Sequence, residues 1–90
     1  MNTAFLLMAQ YSAQAIIPVD LVVRDYFPHL STDKFVRKVS VGDINIPMVR
    51  IEGSTQKSAK GIHIGDLANY IDARREAAQK EAKQLAGAVA

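Results

Sequence analysis

The chain contains no cysteine and no long hydrophobic run. Without cysteine it can form neither a disulfide nor a thiolate metal site, which excludes the disulfide-stabilised scaffolds of small secreted proteins. The longest apolar run is residues 4–9, far shorter than the roughly 20 residues that a membrane-spanning helix needs. No basic residue precedes this run and no convincing cleavage site follows it, so we expect no signal peptide. These absences favour a soluble, cytoplasmic protein that does not contact a membrane.

Residues that carry chemistry are also scarce. The two histidines, His29 and His63, are far apart in the sequence and have no local carboxylate cluster, so they do not indicate a metal site. Lys57 and Ser58 lie in a glycine-containing loop that lacks the glycine spacing of a phosphate-binding loop. His29, Ser31 and Asp33 are close in sequence, but nothing provides a nucleophile elbow or orients a base. Ser31 and Asp33 are better explained as residues that begin a helix. We therefore expect no metal, no cofactor and no enzymatic activity.

The charge of the chain is unevenly placed. Ninety residues are enough for one domain with a modest core, and 49% hydrophobic with 22% charged residues is typical of a folded domain. The net charge is only +2, but residues 34–60 hold six lysines and arginines against two acidic residues, and the remainder holds five against seven. A basic middle segment in a nearly neutral chain predicts a cationic patch on the surface.

Three segments carry the start and stop signals of helices. The first covers about residues 18–27 and ends where Pro28 disfavours further helix. The second covers about residues 32–41, and Gly42 is suited to end it. The third covers residues 67–86, where large apolar side chains are confined to the first turns, so we expect its second half to project from the domain.

Two further segments predict a hairpin. Residues 44–51 alternate between apolar and polar types with one shift in phase, which predicts a strand that Pro47 restricts to a sheet edge or bulge. Residues 62–64 predict a second short strand, and the polar segment 53–61 between the two gives the hairpin a long, basic tip. Residues 4–11 are too short to assign by periodicity; we interpret them as a strand that pairs with the later ones, with a short helix as the alternative. The predicted fold class is α+β.

The predicted order of elements is that of a small winged helix-turn-helix domain. In this arrangement the first helix supports the second, basic helix, which lies in the major groove of DNA, while the hairpin contacts neighbouring phosphates. We expect residues 1–72 to form the DNA-binding domain and residues 73–90 to form a helical extension. The predicted DNA-binding residues are Thr32, Lys34, Arg37, Lys38, Arg50, Gln56, Lys57, Ser58 and Lys60.

Several sequence motifs occur in a fixed order along about residues 3–76. They are Phe-Leu-Leu-Met-Ala-Gln-Tyr at 5–11, Ile-Pro-Val-Asp-Leu-Val at 17–22, Arg-Asp-Tyr-Phe at 24–27, Lys-Phe-Val-Arg-Lys at 34–38, Pro-Met-Val-Arg-Ile at 47–51, Gln-Lys-Ser-Ala-Lys-Gly at 56–61 and Asp-Leu-Ala-Asn-Tyr-Ile-Asp at 66–72. This ordered set resembles the pyocin activator (PrtN-type) family of small bacterial and prophage transcription regulators. The resemblance implies a DNA-binding activator of bacteriocin or prophage genes, with a fold similar to phage excisionases and MerR-type modules.

Two other functions stay open on the sequence. The chain could be an excisionase-like architectural factor that bends DNA and recruits a recombinase. It could also be a phage-encoded protein-interaction module or inhibitor that uses residues 4–9 or 77–86 as its binding surface. Binding to discrete promoter sites, DNA bending, and protein capture without DNA binding would distinguish the three.

The last helix carries a weak signal for assembly. Ile71, Ala78 and Leu85 recur every seven residues, which is compatible with a homo-oligomer. Arg74 and Glu81, however, occupy positions where a coiled coil has apolar residues. The same segment could instead be a solvated helix or a contact for RNA polymerase.

Overall fold

The computed structural model describes residues 2–53 and 59–89, which form a mixture of helices and strands. In chain order the elements are α1 (Thr3–Gln10), β1 (Ile16–Pro18), α2 (Val19–Tyr26), α3 (Thr32–Ser40), β2 (Val49–Arg50), β3 (Lys60–His63) and α4 (Ile64–Val89). The α+β class is confirmed, and α2 and α3 lie within one residue of their predicted bounds. Pro18 lies just before α2 rather than in its first turn.

The three strands form one antiparallel sheet in the order β1-β3-β2. Ile17 of β1 lies opposite Ile62 of the central strand, and Val49 of β2 lies opposite Gly61. The pairing of β2 with β3 confirms the predicted hairpin. Because β1 is also paired with β3, the segment that enters α2 is fixed to the same sheet that carries the hairpin.

One predicted strand is shorter than expected and another is wrong. Residues 44–48 are irregular, so the strand predicted at 44–51 is reduced to β2; Pro47 has no N–H to donate to a ladder. Residues 4–11 are not a strand either, because residues 3–10 form α1, whose first turn is capped by the Asn2 side chain accepting a hydrogen bond from the Ala4 amide at 2.8 Å. The strand that pairs with β3 comes from residues 16–18 instead.

One cluster of buried apolar side chains connects the sheet to the helices. Its largest fully buried members are Leu7, Ile17, Val22, Phe35, Ile62 and Leu67. One member comes from each of α1, β1, α2, α3, β3 and α4, so each of these elements is held by at least one core contact. Burying a side chain of this kind stabilises a fold by about 1.5–3 kcal/mol.

The helix α4 is partly in the domain and partly outside it. Its 26 residues span about 39 Å. Leu67 and Ala68 are buried, and Asp72 accepts a 2.6 Å hydrogen bond from the Thr3 hydroxyl. Residues 72–87 are exposed except for the half-buried Ala77, which confirms the predicted projection. None of the helices among the described residues combines the length and apolar character that crossing a bilayer requires.

Candidate nucleic-acid interface

The outer face of α3 carries three cations. Lys34, Arg37 and Lys38 are all exposed, and at 100° per residue they lie within about 100° of one another around the helix. Within the part of the chain that the structure describes, none of the three makes an ion pair. Their charges are therefore available to a ligand outside the fold.

The opposite face of α3 holds the helix on the core. Phe35 is fully buried, and Val36 and Val39 are half-buried. The Ser31 side chain accepts a hydrogen bond from the Lys34 amide at 3.2 Å, which satisfies one of the free donors of the first turn. The helix ends where predicted: Gly42 has φ +84°, a conformation that glycine adopts without strain.

The short connection of residues 27–31 sets how α3 lies against α2. The Leu30 amide donates to the Phe27 carbonyl at 3.0 Å, which closes a turn around Pro28. The rings of Phe27 and Phe35 pack at a tilted angle with centroids 4.8 Å apart. This aromatic contact connects the end of the supporting helix to the buried side of α3, so the cations on the other side are held in a fixed direction.

The hairpin supplies two more of the predicted residues. Arg50 is exposed on β2, and its register partner on β3 is Lys60, which is half-buried. The Ile51 amide donates to the Ala59 carbonyl at 3.0 Å, so the pairing continues one step beyond the strands. The predicted tip residues Gln56, Lys57 and Ser58 lie outside the described residues.

The hairpin and α3 meet at one surface. Thr32 and Lys60 both line a shallow depression of about 370 Å³ between the first turns of α2 and α3 and the start of β3. The structure thus brings these two predicted residues together, next to the cationic face. Asp20 and Asp33 line the same depression, so the charge of Lys60 is partly offset there.

A comparison with protein families finds a match to this chain. The family model of the pyocin activator protein PrtN matches residues 3–78. The chain belongs to this family. No curated protein and no solved structure gives a match. Family membership confirms the resemblance carried by the sequence motifs and indicates a regulatory role in the activation of pyocin genes.

The PrtN match covers the candidate interface and stops within α4. Residues 3–78 include α1, the sheet, α2, α3 and about the first half of α4. Every predicted DNA-binding residue, from Thr32 to Lys60, lies inside the match. Residues 79–90 lie outside it, so the projecting end of α4 is a feature of this chain that the family match does not cover.

The sequence prediction missed a second surface feature. An apolar groove of about 270 Å³ lies between the end of α2 and α4. Its lining residues are Tyr26, Phe27, His29, Leu67, Tyr70, Ile71 and Arg74. Phe27 is buried, but Tyr26 and Tyr70 are only half-buried. Adjacent aromatic residues on a short helix are a signal for such a groove only once the helix that faces them is known.

Proposed function

We propose that this PrtN-family protein is a sequence-specific, double-stranded DNA-binding transcription regulator that activates pyocin-like bacteriocin or prophage genes. The observation that carries the proposal is the exposed cationic face of α3, where Lys34, Arg37 and Lys38 make no ion pair with described residues. Family membership supports the activating role. The protein acts in the cytoplasm as a binding protein and not as an enzyme, and it needs no cofactor.

The proposed binding mode is that of a winged helix-turn-helix. Helix α2 supports α3, and α3 enters the major groove, which is about 12 Å wide. Arg37 is suited to a guanine because a guanidinium can donate two parallel hydrogen bonds to its edge, whereas Lys34 and Lys38 are suited to phosphates as point charges. The order α1-β1-α2-α3-β2-β3 and the sheet order β1-β3-β2 support this arrangement. Residues 1–72 form the DNA-binding domain in this proposal, and residues 73–90 extend it.

The hairpin serves as the wing. Arg50 and Lys60 are register partners on β2 and β3, so two cations lie side by side at its base. The tip residues Gln56, Lys57 and Ser58 reach a neighbouring phosphate strand in this proposal. If five cations each neutralise one phosphate, the logarithm of the affinity falls with the logarithm of the salt concentration with a slope of about −4.5.

The first experiment is a selection from random duplex DNA at about 150 mM salt, followed by footprinting and an anisotropy titration over a range of salt concentrations. We expect a defined sequence motif and the slope given above. Enrichment of A·T-rich or easily bent DNA without a motif would support the excisionase-like architectural role instead. No enrichment, or a slope near zero, would refute DNA binding by the folded protein.

A pair of variants tests the assignment of base and phosphate contacts. Arg37→Ala removes a contact to a base edge, so we expect weaker discrimination between the selected motif and single-base mismatches, by about 1–3 kcal/mol. Lys57→Ala removes a phosphate contact, so we expect weaker binding to all sequences and a salt slope reduced by about 1. Anisotropy titrations on matched and mismatched duplexes measure both effects. If both variants bind like the parent chain, the assignment of helix and wing is wrong.

One observation favours a second function, a protein-interaction module. The outer face of α1 exposes Phe5, Leu6 and Met8, with 66%, 52% and 41% of their surfaces accessible. A helix that is apolar on all sides is normally covered, and RNA polymerase is a suitable partner for an activator. Pull-down of the transcription machinery with the parent chain, and its loss in a Phe5→Ser variant that keeps DNA binding, would support this role. A variant that still captures the polymerase would argue against α1 as the contact.

A further inference from the structure

The groove between α2 and α4 and the projecting end of α4 both present apolar side chains at the surface. The groove of about 270 Å³ is lined mainly by aromatic and aliphatic side chains, with Arg74 beside them. Leu85, on the projecting part of α4, is 68% exposed. An exposed leucine on an otherwise polar and alanine-rich helix is a suitable side chain for such a groove.

Leu85 cannot fill the groove of its own chain. It lies on the same continuous helix as Ile71, which lines the groove, and 14 residues separate the two. At 1.5 Å per residue this separation is about 21 Å along a straight axis. A second copy of the chain, by contrast, can bring its own Leu85 to the groove.

The faces of α4 support a symmetric arrangement of two copies. Seven residues make almost two full turns, so Ile71 and Leu85 lie within about 20° of Ala78 around the helix. Ala78 is exposed and stands midway between them. If two α4 helices pair antiparallel with a two-fold axis at Ala78, Leu85 of each copy lies level with Ile71 of the other. The small alanine side chain at the axis allows the helices to approach closely.

The charges on α4 favour the same register. Arg74 and Glu81 lie about 40° and 60° to the same side of Ala78, and both are exposed. In the antiparallel register Arg74 of one copy therefore lies next to Glu81 of the other, and the contact occurs twice. A parallel, in-register pair would instead place Arg74 of the two copies at the same level on opposite sides of the contact, and Glu81 likewise, so neither Arg74–Glu81 contact would form.

We propose that the protein forms a homodimer in which two α4 helices pair antiparallel about Ala78, with Leu85 of each copy seated in the Tyr70–Ile71 groove of the other. The contact is isologous, because the same groove and the same leucine are used by both copies. The dimer contact does not depend on the proposed DNA contacts of α3.

The absence of native cysteine allows a direct test of the geometry. In Ala78→Cys the two thiols face each other at the axis, so mild oxidation should produce a cross-linked dimer in high yield. In the matched variant Leu85→Cys, the two thiols lie about 21 Å apart in an antiparallel pair, and cross-linking should be slow. Rapid cross-linking of Leu85→Cys, as in a parallel pair, or equal yields from both variants would overturn the proposal.

A charge exchange tests the register. By sedimentation equilibrium of the full chain at concentrations up to about 100 μM, Arg74→Glu and Glu81→Arg should each weaken the dimer by about tenfold, and the double variant should restore it. Lys83→Glu, on the opposite side of α4, changes the charge of the tail without touching the contact, so it should leave the dimer unchanged.

The hydrophobic contact has its own variant. Leu85→Lys places a second cation beside Arg74 in the groove and should produce a monomer with an unchanged helix signal in circular dichroism. A parent chain that is monomeric at these concentrations, or a Leu85→Lys variant that still dimerises, would overturn the proposal. Because Leu85 is remote from α3, DNA binding to a single site is measured separately on the same variant, so failure of dimerisation and failure of DNA binding are distinguishable.

Discussion

Asp25 accepts hydrogen bonds from three side chains at the contact between α1 and α2. The Tyr11 hydroxyl donates to it at 2.7 Å, the Arg24 guanidinium donates at 2.9 and 3.1 Å, and Gln10 donates at 3.4 Å. The hydrogen bonds from Arg24 and then Tyr11 hold the pKa of Asp25 below its ordinary value. Burial and the hydrogen bond to Asp25 raise the pKa of Tyr11. Both shifts favour the pair of a neutral phenol and a charged carboxylate.

This network predicts how stability depends on pH. Because the pKa of Asp25 is lower in the folded state than in the unfolded chain, the unfolded chain binds the proton first as the pH falls. The stabilisation from Asp25 is therefore present above the ordinary aspartate pKa of about 3.9 and is lost as the pH falls through the folded-state value. We expect Asp25→Asn to lower the free energy of unfolding at pH 7 and the difference from the parent chain to shrink towards pH 2.

Urea unfolding of both chains between pH 2 and pH 8 measures this difference. Asp43→Asn is the matched control, since Asp43 is an exposed residue of the loop after α3, and its effect should stay small throughout. A gap between Asp25→Asn and the parent that is constant with pH would contradict the role of the Asp25 charge.

At the scale of elements, the sheet depends on one glycine. Gly61 lies opposite both Pro18 of β1 and Val49 of β2. A Cβ atom at this position would lie 2.9 Å from the carbonyl oxygen of Ile17 and against the Ile16 side chain. Because a backbone oxygen on a paired strand cannot move independently, Gly61→Ala should push β1 away from β3.

We expect Gly61→Ala to destabilise the fold by about 1–3 kcal/mol, as overpacking of a buried site does. Gly53→Ala is the matched control, since a Cβ atom at Gly53 meets nothing within 4 Å, and its effect should stay within about 0.5 kcal/mol. Urea unfolding at neutral pH compares the two. Equal stability of the two variants would mean that the β1–β3 pairing tolerates the added methyl group.

The elements differ in how well the sequence predicts them, for physical reasons. Helix α3 has local signals at both ends, a serine cap and Gly42, and these agree with its apolar face. Helix α1 carries apolar residues on all its sides, so the sequence shows no hydrophobic periodicity that would identify it as a helix. Its conformation is therefore decided by its contacts with the rest of the fold. Strand β1 is three residues long and ends in a proline, and only its pairing with β3 makes it a strand.

At the scale of the whole molecule, some features of the predicted site can be predicted from the sequence and others cannot. The exposure of Lys34, Arg37 and Lys38 follows from helical spacing opposite the buried Phe35, and the structure agrees with it. The meeting of Thr32 with Lys60 requires the pairing of the hairpin with the rest of the sheet, which local patterns do not contain. The groove between α2 and α4 joins aromatic residues 44 positions apart in sequence, Tyr26 and Tyr70, and for the same reason the sequence did not reveal it.

The uneven distribution of charge leads to a prediction about the molecule as a whole. DNA attracts any protein with a positive potential, so loss of binding after removing lysines does not by itself identify a site. The double variants Lys34→Glu/Lys38→Glu and Lys80→Glu/Lys83→Glu change the net charge equally, from +2 to −2. The first alters the outer face of α3; the second alters the exposed side of α4 that faces away from Ala78.

If DNA lies on α3, the first variant should lose specific binding by at least about 100-fold, because two phosphate contacts become repulsive. The second should lose affinity only through the smaller, long-range interaction, within about tenfold at 50 mM salt, and this loss should shrink at 200 mM salt, where the screening length falls from about 14 Å to about 7 Å. Anisotropy titrations at 50 mM and 200 mM salt separate the two contributions. If the two double variants lose the same affinity at each salt concentration, the net charge of the chain determines binding and the face of α3 does not.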